Sequence, residues 1–224
     1  MAISLFLGGW LVMVAAMMLP ASLPTIRQIE GVAAAFTRPR RVPASFLVAF
    51  AAVWALFGLA AFLGDMVVHH VVDTTPWLGE RPYLIEAAIL ALAGLYQFAP
   101  LKRRTLGECR DPGALVSAAA LARGAARLGL RHGLACLGTS WALMLVMFGE
   151  GFGGLGWMVV LTAVMVDETT GRRGHRTATV AGIVLLIAAL SVLSSGTAHS
   201  AAAGSTRGAG MGSAPLAASA TMGA

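Results

Sequence analysis

Four stretches of the chain, residues 44–64, 87–100, 133–149 and 178–195, carry no charged residue and alternate with segments that hold nearly every arginine and lysine. About 20 apolar residues cross the hydrocarbon layer of a bilayer, and cytoplasmic loops of membrane proteins collect Lys and Arg. The pattern predicts an all-α fold, a polytopic transmembrane helix bundle of about six spans. They fall at 3–23, 44–68, from behind Pro82 to Pro100, 132–148, 155–166 and 177–193.

The charges give these spans a direction. Arg27, Arg38, Arg40 and Arg41 follow the first span, and Lys102, Arg103, Arg104 and Arg110 follow the third. Arg172, Arg173 and Arg176 follow the fifth, whereas the segment in which the second span ends holds Asp65, His69, His70, Asp73 and Glu80 with one arginine, Arg81. Every basic residue except Arg81 and Arg207 then lies on one side, the cytoplasmic one, with both termini outside; the expected location is a bacterial cytoplasmic membrane. Residues 1–10 have no basic segment of the kind that opens a cleaved signal, so the first apolar run reads as a retained span. Between 113 and 131, Arg123, Arg127 and Arg131 recur every four residues, the stripe of an amphipathic helix lying on an anionic membrane surface before the fourth span. Residues 1–195 form one membrane domain in this reading. Residues 196–224, rich in Ala, Gly, Ser and Met, form a disordered tail.

Composition narrows the class further. Hydrophobic residues make up 58% and charged residues 12% of the 224, against roughly half and a quarter in soluble domains. The net charge of +6 is explained by topology, since no basic patch interleaved with aromatics marks a nucleic-acid surface. The expected partners are the lipid bilayer and a membrane or periplasmic protein, with no nucleic acid; the oligomeric state stays open. Two cysteines, Cys109 and Cys136, cannot build a disulfide framework and fall near the reducing side, as free thiols.

Sulfur is the distinctive chemistry. Trp10, Met13, Met17 and Pro20 follow helical steps along one face of the first span, with Met18 beside them. Cys136, Ser140, Leu143 and Met147 do the same on the fourth, with Met144 on the flank, and Met158, Thr162 and Met165 on the fifth. Thioether and thiolate are soft ligands suited to Cu(I), although methionine is equally an ordinary filler of helix interfaces.

Other polar groups have plainer readings. His69 and His70 with Asp73 form a solvated interfacial cluster, in which at most one imidazole faces the carboxylate. Glu86, one turn inside the third span, snorkels outward or pairs with Arg81. Asp167 and Glu168 close the fifth span as interfacial acids. Gly129 and Gly133, and Gly149 and Gly153, have the small-xxx-small spacing that lets helices approach. No phosphate-binding glycine loop, HExxH or GxSxG is present, and no catalytic residue is assigned.

Four segments together resemble the bacterial family of predicted metal-binding integral membrane proteins, a domain of unknown function. They are WLVMVAAMMLP (10–20), GLYQFAPLKRRTLGECRDP (94–112), GLACLGTSWALMLVMFGEG (133–151), and the shorter set Trp157, Met158 and Glu168. Where that family usually carries cysteine, this chain has Thr105, Thr139 and Ser140, so a site here leans on Met and on Cys109 or Cys136. The resemblance and the soft ligands together imply an integral membrane protein that binds a soft transition metal, copper as Cu(I), in metal handling or metal-dependent assembly. The metal ligands are Met13, Met17, Met18, Cys109, Cys136 and Met144. Two rival readings are a non-enzymatic membrane scaffold whose metal site has decayed, and a small-solute transporter working through Glu86.

Overall fold

The computed structural model describes residues 2–36, 38–110, 124–149, 155–171 and 174–211. All of its regular structure is helical: α1 (Ala2–Ala33), α2 (Arg41–Thr74), α3 (Pro76–Gly79), α4 (Tyr83–Tyr96), α5 (Pro100–Arg110), α6 (Ala125–Gly149), α7 (Leu155–Thr170) and α8 (Gly174–Met211). Four of these, α1, α2, α6 and α8, contain segments long and apolar enough to cross a bilayer, five if α4 and α5 count as one bent span. Against the six expected spans, α7, with 16 residues, is shorter than the roughly 20 a crossing needs. The third expected span is broken. Of the interfacial helix expected over 113–131, residues 113–123 lie outside the described residues, while Arg127 and Arg131 sit in the first turns of α6. The last helix continues past the expected span end at Leu193 to Met211.

The break between α4 and α5 bends the chain by 62°. Pro100 has no N–H and its ring disfavours helical geometry in the residue before it. The end of α4 accordingly tightens into three-residue turns, with Gln97, Phe98 and Ala99 N–H donating to the Gly94, Leu95 and Tyr96 carbonyls at 3.3, 3.1 and 3.0 Å. The bend turns α5 back against α6 and α7 instead of leading it away from the bundle.

Helix α6 is central and packs on α2, α4, α5 and α7. Association in lipid relies on close packing, since lipid is as apolar as leucine, and α6 achieves it with glycine. A side chain at Gly129 would strike the Phe46 backbone, and one at Gly133 would come 3.1 Å from Val53. These contacts set a parallel register between α2 and α6, one turn of each helix advancing with the other. The outward faces of α2 and α8 expose Val48, Leu56 and Leu63, and Val180, Ile183, Ile187 and Leu190, a surface suited to acyl chains.

Candidate metal centre

The sulfur side chains converge. Trp10, Met13, Met17 and Met18 from α1, Cys136, Met144 and Met147 from α6, and Met165 from α7 all lie buried in one cluster, with Cys109 and Met158 packed against it. The helical stripe explains how: on α1 the three- and four-residue steps bring Trp10, Met13 and Met17 to one face. Pro20, assigned to the same face by spacing, is exposed instead. Met66, near the outer end of α2, stays away from the cluster and is exposed.

The closest approach joins α1 to α6. Cys136 Sγ donates to Met18 Sδ at 3.6 Å, and Ser140 Oγ lies 3.8 Å from the same sulfur. One turn further along each helix, His132 Nε2 is 3.3 Å from Ser22 Oγ, between the rings of Phe46 and Phe50 at 5.6 and 5.9 Å. Met18 with Ser22, and His132 with Cys136 and Ser140, are thus facing rungs of an antiparallel ladder. Cys109 reaches α6 from the other side, its Sγ 3.8 Å from Thr139 Oγ1. The hydroxyls of Thr139 and Ser140 both turn back onto their own helix, Thr139 onto the Ala135 and Cys136 carbonyls at 2.8 Å and Ser140 onto that of Cys136 at 2.6 Å.

Two tryptophans brace the cluster. The Trp10 indole N–H donates to the Trp54 carbonyl at 2.9 Å, and Gly58 makes room for it: a Cβ there would meet Trp10 Nε1 at 2.5 Å. Tyr96, on α4, donates to the Gly138 carbonyl and meets Trp141 edge-on at 4.8 Å. Gly138 is also where Thr105 of α5 packs against α6.

A second cluster was not evident from spacing. Lys102 Nζ pairs with Glu168 Oε2 at 2.8 Å and also donates to Gln97 Oε1. Lys102 and Glu168 are 1% and 2% exposed. Counted by charge, Lys102 belongs to a cytoplasmic loop and Glu168 to an interface; the bend at Pro100 carries Lys102 under α7 instead. Glu168 Oε1 is buried without a hydrogen bond among the described residues. Nearby, Arg110 donates to the Gly171 carbonyl and Thr177 to Asp167, tying the turn between α7 and α8. The only sequence signal for this node was the place of Gln97, Lys102 and Glu168 in the segments that carry the family resemblance.

The remaining polar expectations also shift. His69 pairs with Asp65, one turn before it, at 3.4 Å, because a helical side chain leans back over the turn N-terminal to it; no ion pair with Asp73 occurs among the described residues. Arg81 stacks on Trp77 at 4.7 Å, and no ion pair joins it to Glu86 among the described residues. Glu86 is exposed and, with Asp65 and His69, lines a cavity of about 1170 Å³ between α2, α4 and α6. No group of three or more His, Cys, Asp and Glu side chains suited to one metal ion occurs among the described residues. The sulfur cluster is therefore dominated by thioethers, with one buried thiol at its closest contact.

An all-helical bundle with membrane-length helices and a sulfur-lined interior defines the class. The chain belongs to the family described as PpoB2, copper chaperone, whose model matches residues 7–192. That span contains all six expected ligands, and it agrees with a metal-related family at the level the motifs implied. No curated protein and no solved structure matches the chain.

Proposed function

We propose that this protein takes up Cu(I) as cargo between α1 and α6 and passes it on by ligand exchange. The ligands are drawn from Met13, Met17, Met18, Cys109, Cys136 and Met144. The observation that carries this reading is the 3.6 Å contact of Met18 Sδ with Cys136 Sγ inside the cluster that holds the other four residues or packs against them. Two sulfurs bound to one tetrahedral ion stand about 3.8 Å apart if the metal–sulfur bonds are about 2.3 Å, so the pair needs little movement to share an ion. Thioethers select Cu(I) over hard cations, which prefer oxygen.

The donor set favours transfer over permanent storage. At most two thiols among neutral thioethers hold a soft ion less firmly than several thiolates, and each thioether can leave singly as a partner's sulfur arrives. Thr139 and Ser140, which stand where the resembling family usually carries cysteine, lie 3.8 Å from Cys109 Sγ and Met18 Sδ respectively. Extra thiols at those positions would tighten the same site. Metal transfer requires a protein donor or acceptor, taken here to be a membrane or periplasmic protein.

The charge pattern favours an orientation with both termini outside, and the resemblance to a bacterial membrane family implies a bacterial cytoplasmic membrane. In that orientation the rung of Ser22 and His132 lies on the cytoplasmic side of the Met18 and Cys136 pair. The membrane domain of residues 1–195 is the metal-handling unit and 196–224 an appended tail. The test is elemental analysis of protein purified in mild detergent under reducing conditions after copper loading. The wild type should retain close to one copper per chain, and a Met18→Leu, Cys136→Ser double variant should lose most of it. A wild type without copper rejects the reading and leaves the membrane scaffold.

A further inference from the structure

The indole N–H of Trp54 is buried and makes no hydrogen bond of ordinary geometry among the described residues. Indole nitrogen is a donor only, and a buried donor left unmet is unusual enough to need an explanation. Trp10, in the same cluster, presents the contrasting case, its N–H satisfied by the Trp54 carbonyl at 2.9 Å. Trp54 cannot swing out to find a partner. It is fully buried, its carbonyl is held by Trp10, and Phe57 stands edge-on to its ring at 5.9 Å.

The register of α2 against α6 says what the N–H serves. Gly129 abuts Phe46, and Gly133 abuts Val53 and Phe50. The next residues inward on the two helices are Trp54 and Cys136, both in the one buried cluster, with the Trp54 indole within weak hydrogen-bonding reach of the Cys136 thiol. Cys136 directs its own proton at Met18 Sδ, so the lone pairs of Sγ face elsewhere. A thiol is a weak acceptor. A sulfur that has exchanged its proton for a metal ion carries more charge and is a stronger one.

We propose that Trp54 is a positioning residue of the sulfur site, its indole N–H donating to Cys136 Sγ when that sulfur holds a soft metal ion. The inference rests on the copper reading above. On binding, the ion replaces the thiol proton on the Met18 side, the proton is released to the buffer, and the Trp54 N–H gains its partner. Donors to metal-bound sulfur tune affinity and electronic properties, so Trp54 would set how firmly the cargo is held.

The test is Trp54→Phe, which keeps an aromatic ring and removes the donor, loaded with Cu(I) in mild detergent under reducing conditions. Copper per chain should match the wild type, while affinity in competition with a Cu(I) chelator should fall about tenfold and the thiolate-to-copper ultraviolet band should shift. A band and affinity equal to those of the wild type overturn the proposal. Should the variant misfold, the wild type labelled with 15N-tryptophan answers the same question. The Trp54 indole resonance should move downfield on copper loading and fail to move in Cys136→Ser, and a stationary resonance in copper-loaded wild type overturns the proposal. A wild type that binds no copper sinks this inference together with the function it rests on, whereas bound copper with an indifferent Trp54 sinks this one alone.

Discussion

The sulfur ladder between α1 and α6 and the polar node of Lys102, Glu168 and Gln97 are equally hidden, yet they make opposite demands on their surroundings. Thioethers and a neutral thiol pack as apolar atoms, so the ladder is held by shape. An ammonium and a carboxylate withdrawn from water need each other, and losing one leaves a charge without compensation. The comparison teaches that the proposed metal site should tolerate substitution structurally while failing functionally, and that the node should do the reverse.

The largest effect is expected at the node. Glu168→Gln or Lys102→Met, each breaking the pair, should cost about 3–5 kcal/mol of stability, read from denaturant unfolding in detergent. The double variant Lys102→Met, Glu168→Leu should recover much of that loss, because an apolar pair of similar volume replaces a buried ion pair at little net cost. Equal losses in single and double variants would show that the node contributes no more than packing.

Gly58→Ala comes next. It places a methyl group 2.5 Å from the Trp10 indole nitrogen and should cost about 1–3 kcal/mol as overpacking, with a change in tryptophan fluorescence as Trp10 leaves the Trp54 carbonyl. Unchanged fluorescence would mean that the indole is not seated on Gly58. Met144→Leu keeps volume and should cost under about 1.5 kcal/mol, yet lower copper retention, separating packing from ligation within one side chain. The smallest effect belongs to His69→Ala. Its contact with Asp65 is exposed, so stability should change by less than about 0.5 kcal/mol and copper content should stay the same; a loss of copper there would move the site to the outer end of α2.

The same contrast explains what was legible in the sequence. Periodicity places Trp10, Met13 and Met17 on a buried face of α1 and Cys136, Ser140, Leu143 and Met147 on a buried face of α6, because helical spacing follows from the backbone alone. Which residue of a stripe meets which residue of another depends on helix crossing. Met18, assigned to the flank, makes the closest sulfur contact, and Pro20, assigned to the face, lies outside it. Charge counting placed Lys102 in a loop because it cannot distinguish a loop from a helix folded back at Pro100. The partner of Lys102 lies 66 residues away, and no local pattern links them. Trp54 carries no motif at all; its unmet N–H becomes visible only once the neighbours of α2 are in place.

The account stands most directly on X-ray absorption at the copper edge of the loaded protein. It predicts sulfur scatterers at about 2.3 Å from the metal, at least two per copper, with one lost in Cys136→Ser. Nearest neighbours that are all nitrogen or oxygen, or a spectrum indifferent to Cys136→Ser, would contradict it.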